Sequence, residues 1–336
     1  MEKIIKTAGI ASIALLLASC QNNENEATEQ DMQPADENAQ QEESSMDQPD
    51  TEDNSAENIE DENVDESESD PYEETEASPD YFIDTYIYNG ETEFFTAFTI
   101  NRDEGQSTSP EERLKSSLLE NDPSEQEILR PFTEMTVEWP RLQVHFTEEG
   151  NQLSTTSAQT SLFYDSLFGM SDLYGIEEVA FLNPDGEENI IVAQRNVDEP
   201  ILIEEERGLT RGYYTIYDKD SEQTFFLPGG VLEEPVENED GEPLTFPETL
   251  EAMESVKSED VFYDSAIIEG FEIVEASMED DVATVQYTMD EEMVTEFDQI
   301  VFENAIQLAA LDFHATEVHM LNDTLQVSTI YPLVRY

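Results

Sequence analysis

The 336-residue sequence predicts an α+β fold: two tandem α/β sandwich domains, with helices packed on a small mixed sheet, preceded by a disordered acidic tether. Three observations predict it. Composition changes abruptly near residue 80, from acid-rich and nearly free of large apolar residues to aromatic-rich and periodic. The later part repeats itself at an offset of 139 residues. Within each copy, strand and helix patterns follow one another without regular βαβ alternation, which favours helices on one face of a mixed sheet.

Residues 1–19 read as an export signal. Lys3 and Lys6 form a basic start, Ala8 to Leu17 an apolar stretch, and Ala18 and Ser19 are small. The stretch is too short for a spanning helix, which needs about 20 apolar residues. Cys20 is the sole cysteine, so no disulfide can form within the chain. "LASC" (Leu17 to Cys20) resembles the bacterial lipobox. That resemblance implies acylation of the Cys20 thiol, with palmitate-type chains, and cleavage just before it. An ordinary signal peptide with an incidental cysteine is the alternative. The expected product is a lipoprotein held at the cell membrane on its extracytoplasmic side. Two acyl chains suffice for stable anchoring.

Residues 20–80 are expected to be a disordered linker. From Gln21 to Asp80 there are 24 Asp or Glu and no Lys or Arg. Such a segment buries too little apolar surface to offset its ordering entropy, and its like charges extend it. A passive spacer is the simplest role, and an interaction tail for a cationic partner or divalent ions is the alternative. The formal net charge of the whole chain is −69. This makes nucleic acid and anionic lipid surfaces poor partners. Adaptation of an exported protein to high salt or high pH accounts for it.

Residues 81–198 and 212–336 form the two expected domains. In the second, Phe302, Ile306, Ala309 and Phe313 lie on one helical face. In the first, Phe163, Leu167, Met170 and Tyr174 have the same spacing, each 139 residues earlier. Strands ending in turns follow, "EEVAFLNPDG" and "TEVHMLNDT", with return strands expected in "NIIVAQ" and "TLQVSTI". Upstream, "RLQVHFT" turns Leu142, Val144 and Phe146 inward, and "VATVQYTM" does so with Ala283, Val285, Tyr287 and Met289. Earlier helices open at Ser109-Pro110 and near Thr245-Phe246-Pro247. Each copy begins with aromatic strands, "DTYIYNGETEFFTAFTI" and "GYYTIYDKDSEQTFFLP". The second copy is long enough to be expected to fold alone.

The second copy resembles the GerMN domain, on its "YTIYD" opening strand, its Pro-started helix, and above all the "DVATVQYT" and "TEVHML" strands. The first copy resembles it more weakly. The family occurs in sporulation and spore-germination lipoproteins, and is similar in fold to ring-building modules of envelope complexes. The resemblance implies a structural adaptor with protein partners in a sporulation, germination or other cell-envelope assembly. It implies neither catalysis nor a cofactor.

The residues themselves carry no signature of chemistry. His145, His314 and His319 have no metal-ligand spacing, and no nucleophile elbow, P-loop or dinucleotide motif is present. The acidic stretches at Asp218, Asp220 and Glu222 and at Asn238 to Pro243 do not fit the EF-hand spacing. The chain is therefore expected to be no enzyme and to bind no metal. The alternative function is binding of a small ligand or a cell-wall component. A pocket lined by aromatics of "TYIYNGETEFF" or "YYTIYD" would favour it.

Overall fold

The computed structural model describes residues 71–90, 94–102, 108–120, 129, 133–147, 157–219, 221–258 and 260–333. The expected signal, Cys20 and linker residues 20–70 lie outside the described residues. Those described belong to one compact unit, Glu66–Tyr336. It opens with a short strand, β1 (Glu73–Glu76). The first repeat then runs β2 (Tyr81–Asn89), β3 (Phe94–Arg102), α1 (Pro110–Glu120), β4 (Thr133–Glu138), β5 (Arg141–Phe146), α2 (Ser157–Leu173) and β6 (Glu178–Leu182). Short elements close it: β7 (Ile190–Val192), β8 (Arg195–Val197), β9 (Ile201–Leu202) and α3 (Ile203–Arg207). The second repeat runs β10 (Tyr213–Asp218), β11 (Gln223–Pro228), α4 (Phe246–Met253), β12 (Phe271–Glu279), β13 (Val282–Met289), α5 (Glu296–Asp312), β14 (Glu317–Asn322) and β15 (Val327–Pro332).

The helices start where their caps dictate. At α1 the Glu112 amide donates to Ser109 Oγ (3.2 Å), and the Ser109 amide donates back to Glu112 Oε2 (3.4 Å). Thr245 and Glu248 form the same box at α4, with Pro247 in the first turn. Thr295 and Asp298 form it at α5. The repeat is literal in the long helices: α2 and α5 each have 17 residues, and their bounds differ by 139 at both ends. The strand register agrees. Leu142 lies beside Val179 and Val144 beside Phe181 in one parallel pair, while Ala283 lies beside Val318 and Val285 beside Met320 in the other. The expected helix faces are core: Phe163, Leu167, Met170, Phe302, Ile306 and Ala309 are fully buried. Tyr174 is buried just past α2, and Phe313 caps α5 half-buried, edge-on to Phe246 at 5.6 Å.

The two repeats are joined more closely than two beads on a string. The opening hairpins of both repeats form one four-stranded sheet, in the order β10-β11-β3-β2. Phe98 of β3 pairs with Phe226 of β11, and it is the single paired position between those strands. The shared sheet is buried on both faces. Phe98, Ile100, Tyr213 and Phe226 enter a main core that draws residues from both repeats. Ala97, Tyr214, Ile216, Phe225 and Leu227 enter a smaller core closed by Leu232 and Tyr263. Helix α2 approaches this sheet closely at Gly169. A Cβ there would lie 2.4 Å from Phe98 Cζ, so any larger residue would displace the buried Phe98 ring or the helix.

Three expectations are corrected. First, the linker does not run to residue 80. β1 adds to the second repeat's sheet, parallel to β15, giving the order β1-β15-β14-β13-β12. Its side chains are exposed, and its glutamates shield an otherwise open edge. Backbone bonds hold it, from Glu73 N to Gln326 O and from Ala77 N to Ile330 O, both 2.9 Å. Second, "NIIVAQ" is not the return strand of the first copy. Ile190–Val192 folds onto Arg195–Val197 as a hairpin, through Ala193 and Gln194 at φ 45° and 68°. That is a type I′ geometry. The strand that returns to β6 is the two-residue β9. Third, the second repeat is not a self-contained unit, because its sheets borrow β1 and the β2–β3 hairpin.

Candidate functional site

Two buried polar clusters lock the repeats together. In the first, the guanidinium of Arg102, at the end of β3, donates to Gln307 Oε1 of α5 from Nε (2.9 Å) and Nη2 (2.8 Å). Its Nη1 donates to the carbonyls of Pro332 (3.0 Å) and Ser78. The same group lies 5.5 Å over the Tyr81 ring and 5.2 Å over the Tyr331 ring. Burial lowers its pKa to about 10, so it stays charged at neutral pH. Nearby, Arg113 pairs with buried Asp80 at 2.9 Å.

The second cluster lies where the repeats meet in sequence. Arg207 of α3 is buried against Asp172 of α2 and Asp312 at the end of α5. Asp312 also accepts from Thr210 Oγ1 (2.8 Å) and the Tyr213 hydroxyl (3.0 Å). Burial alone would lower the Arg207 pKa, but the two carboxylates outweigh it and raise the value. Burial pushes the Asp312 carboxyl up to about 6 against the pull of Arg207. The folded state therefore holds this proton more tightly than the unfolded chain does. The resulting stabilisation is fully present below about pH 4 and is lost as pH rises through about 6. Asp312→Asn should flatten that part of the pH dependence of thermal unfolding. An unchanged slope between those pH values would assign it to other groups.

One arrangement among the described residues that could take a ligand is a groove of about 630 Å³. It opens where β3 and β11 part beyond their one paired position. Asp84 and Tyr86 of β2, Thr99 and Asn101 of β3, and Gln223 and Phe225 of β11 line it. The exposed start of α5 closes one side with Phe297, Ile300 and Asn304. Tyr86 and Phe225 stack at 4.3 Å. They can meet because Ala97, directly opposite Tyr86 on the intervening strand, has almost no side chain. The Asn101 amide donates to Asp84 Oδ2 (3.2 Å) and Thr99 Oγ1 (3.3 Å). Tyr86 belongs to the aromatic stretch singled out in the sequence. Thr85 lies in the same stretch and Glu222 in an acidic stretch named there, whereas Phe297, Ile300 and Asn304 of α5 were not singled out, although Phe297 and Ile300 carry a signal: they are apolar but fall off the buried stripe of α5.

The remaining sequence candidates are scattered. His145 is half-buried on β5, and its Nε2 has no hydrogen-bond partner among the described residues. His319 on β14 meets Glu317 Oε2 at 3.1 Å, and His314 is exposed after α5 at φ 57°. The structure does not bring the three together. Asp218 accepts from Ser221 (2.8 Å), Asp220 lies outside the described residues, and Glu222 reaches the rim of the groove. Asn238 folds its own loop, accepting from the amides of Asp240 (3.1 Å) and Glu242 (3.0 Å). Among the described residues, no group of three or more His, Cys, Asp or Glu is placed to hold a metal ion. Among the same residues no helix is long and apolar enough to cross a membrane.

No family model matches the chain, and no curated protein matches it. Among solved structures, the chain is similar to the tandem GerMN domains of the sporulation protein GerM from Bacillus subtilis. The two are 10% identical, the match covers 76% of this chain and 98% of that one, and the TM-score is 0.42.

Proposed function

We propose that the chain is a lipoprotein, anchored through Cys20 on the extracytoplasmic side of the cell membrane, that acts as a structural adaptor. The fused body is the observation that carries the adaptor reading. Two repeats share one sheet and a main core, and two polar clusters tie them together. A body built in this way presents surfaces in a fixed mutual geometry, which is what an adaptor needs. The sporulation, germination or other envelope setting rests on the sequence resemblance given above. The second reading, binding of a small ligand or wall component, is favoured by the groove, which draws Thr85 and Tyr86 from the aromatic opening stretch.

Two measurements test this function. Cells fed an alkyne-labelled palmitate should label the wild-type chain and leave Cys20→Ala unlabelled and out of the membrane fraction. Membrane retention of Cys20→Ala would remove the anchor. Cross-linking in intact cells should recover the wild-type chain in larger assemblies of envelope proteins. Recovery of the chain alone would remove the adaptor role.

A further inference from the structure

We infer that the groove between β3, β11 and α5 is a binding site for an uncharged oligosaccharide. The inference rests on the ligand-binding reading and gives its ligand class. Its volume, about 630 Å³, lies within the roughly 300–1,000 Å³ of small-ligand sites. The lining is of mixed chemistry. Tyr86 and Phe297 line the groove and are 37% and 49% exposed, so each leaves surface open to a ligand. Phe225 backs Tyr86 and fixes its plane. A ring face carries partial negative charge and attracts the polarised C–H groups on the flat side of a sugar.

The polar groups fit the same ligand. Asn101, Gln223 and Asn304 place amides along the groove, and an amide supplies both donors and an acceptor, as each sugar hydroxyl requires. The Asn101 amide already donates to Asp84 and Thr99, which orients it and leaves its Oδ1 to accept from a ligand hydroxyl, so little freedom is lost when it binds. Hydroxyls of Thr85, Thr99, Ser221 and Thr224 complete the polar lining. A purely apolar ligand would strip water from these groups without replacing their hydrogen bonds. An anionic ligand would meet Asp84, Glu120 and Glu222, with no Lys or Arg among the described lining residues. An uncharged polyol with apolar faces satisfies both constraints.

The test is isothermal titration of the full-length chain carrying Cys20→Ala. The probes are N-acetylglucosamine trimer, maltotriose and a Lys/Arg-rich peptide. At least one saccharide should bind, and Phe297→Ala and Gln223→Ala should each weaken that binding by about tenfold at an unchanged melting temperature. Saccharide binding that neither substitution affects would place the site elsewhere and overturn the inference. Peptide binding lost in Phe297→Ala, without saccharide binding, would keep the groove as a ligand site and overturn its assignment to sugars. No binding of any probe would overturn both, and the adaptor reading would stand or fall separately on the cross-linking result.

Discussion

Residues 212–336 produced alone should lack a cooperative thermal transition and a dispersed amide spectrum, whereas residues 71–336 should show both. The cut removes β1 from the five-stranded sheet and β2–β3 from the shared sheet. It uncovers the core faces of Tyr213 and Phe226, and it deletes Arg102, which bonds to Gln307 and the Pro332 carbonyl. Burying one large apolar side chain contributes about 1.5–3 kcal/mol, and a whole domain is stable by only about 5–15 kcal/mol. Losing several such contacts at once exceeds that margin. A sharp melt and a dispersed spectrum from the isolated repeat would show that the shared sheet is dispensable.

Arg102→Ala in the intact chain should cost about 3–5 kcal/mol, the second largest effect expected. The guanidinium is the common partner of three separate segments: the entry to β2 at Ser78, α5 at Gln307, and the end of β15 at Pro332. Removing it leaves buried acceptors without donors and opens a space between two tyrosine rings. Arg102→Lys should recover only a minor part, because an ammonium cannot fork to Gln307 and reach two carbonyls. Urea titration measures both variants. A loss below about 1 kcal/mol for the alanine would mean that water replaces the guanidinium without strain.

The sequence made the repeat legible because helical periodicity is local. The stripe of Phe302, Ile306 and Ala309 can be read from its own spacing, and the equal lengths of α2 and α5 follow from it. Sharing of the sheet was not legible. Phe98 and Phe226 meet across 128 positions of chain, and the strands around them are apolar on both faces, as buried strands generally are. "YYTIYD" reads only as an aromatic strand, while its tyrosines serve two different cores. β1 escaped notice for the opposite reason. Its side chains are exposed, with only Thr75 bonding to β15, and backbone bonds hold an acidic segment that composition marks as disordered. "NIIVAQ" looked like a return strand because the left-handed turn at Ala193 and Gln194 carries neither Gly nor Asn. In the groove, Tyr86 and Phe225 looked like ordinary strand aromatics, and only the small Ala97 between them lets their rings stack.

The position of β1 also decides how the molecule bears tension. Among the described residues, a pull from the side of Cys20 would meet Tyr72, whose hydroxyl donates to Asp323, and then the strand Glu73–Glu76. That strand is short and bonded to β15 on one side only, so it is the first to peel away. Its release would free residues 73–77, about 17 Å when extended. Load then arrives at Ser78 and Asp80, held by Arg102 and Arg113 inside the core. With the proposed anchor at Cys20 loaded, the weak strand would act as a shock absorber in series with a stiff clamp, yielding before the core is disturbed.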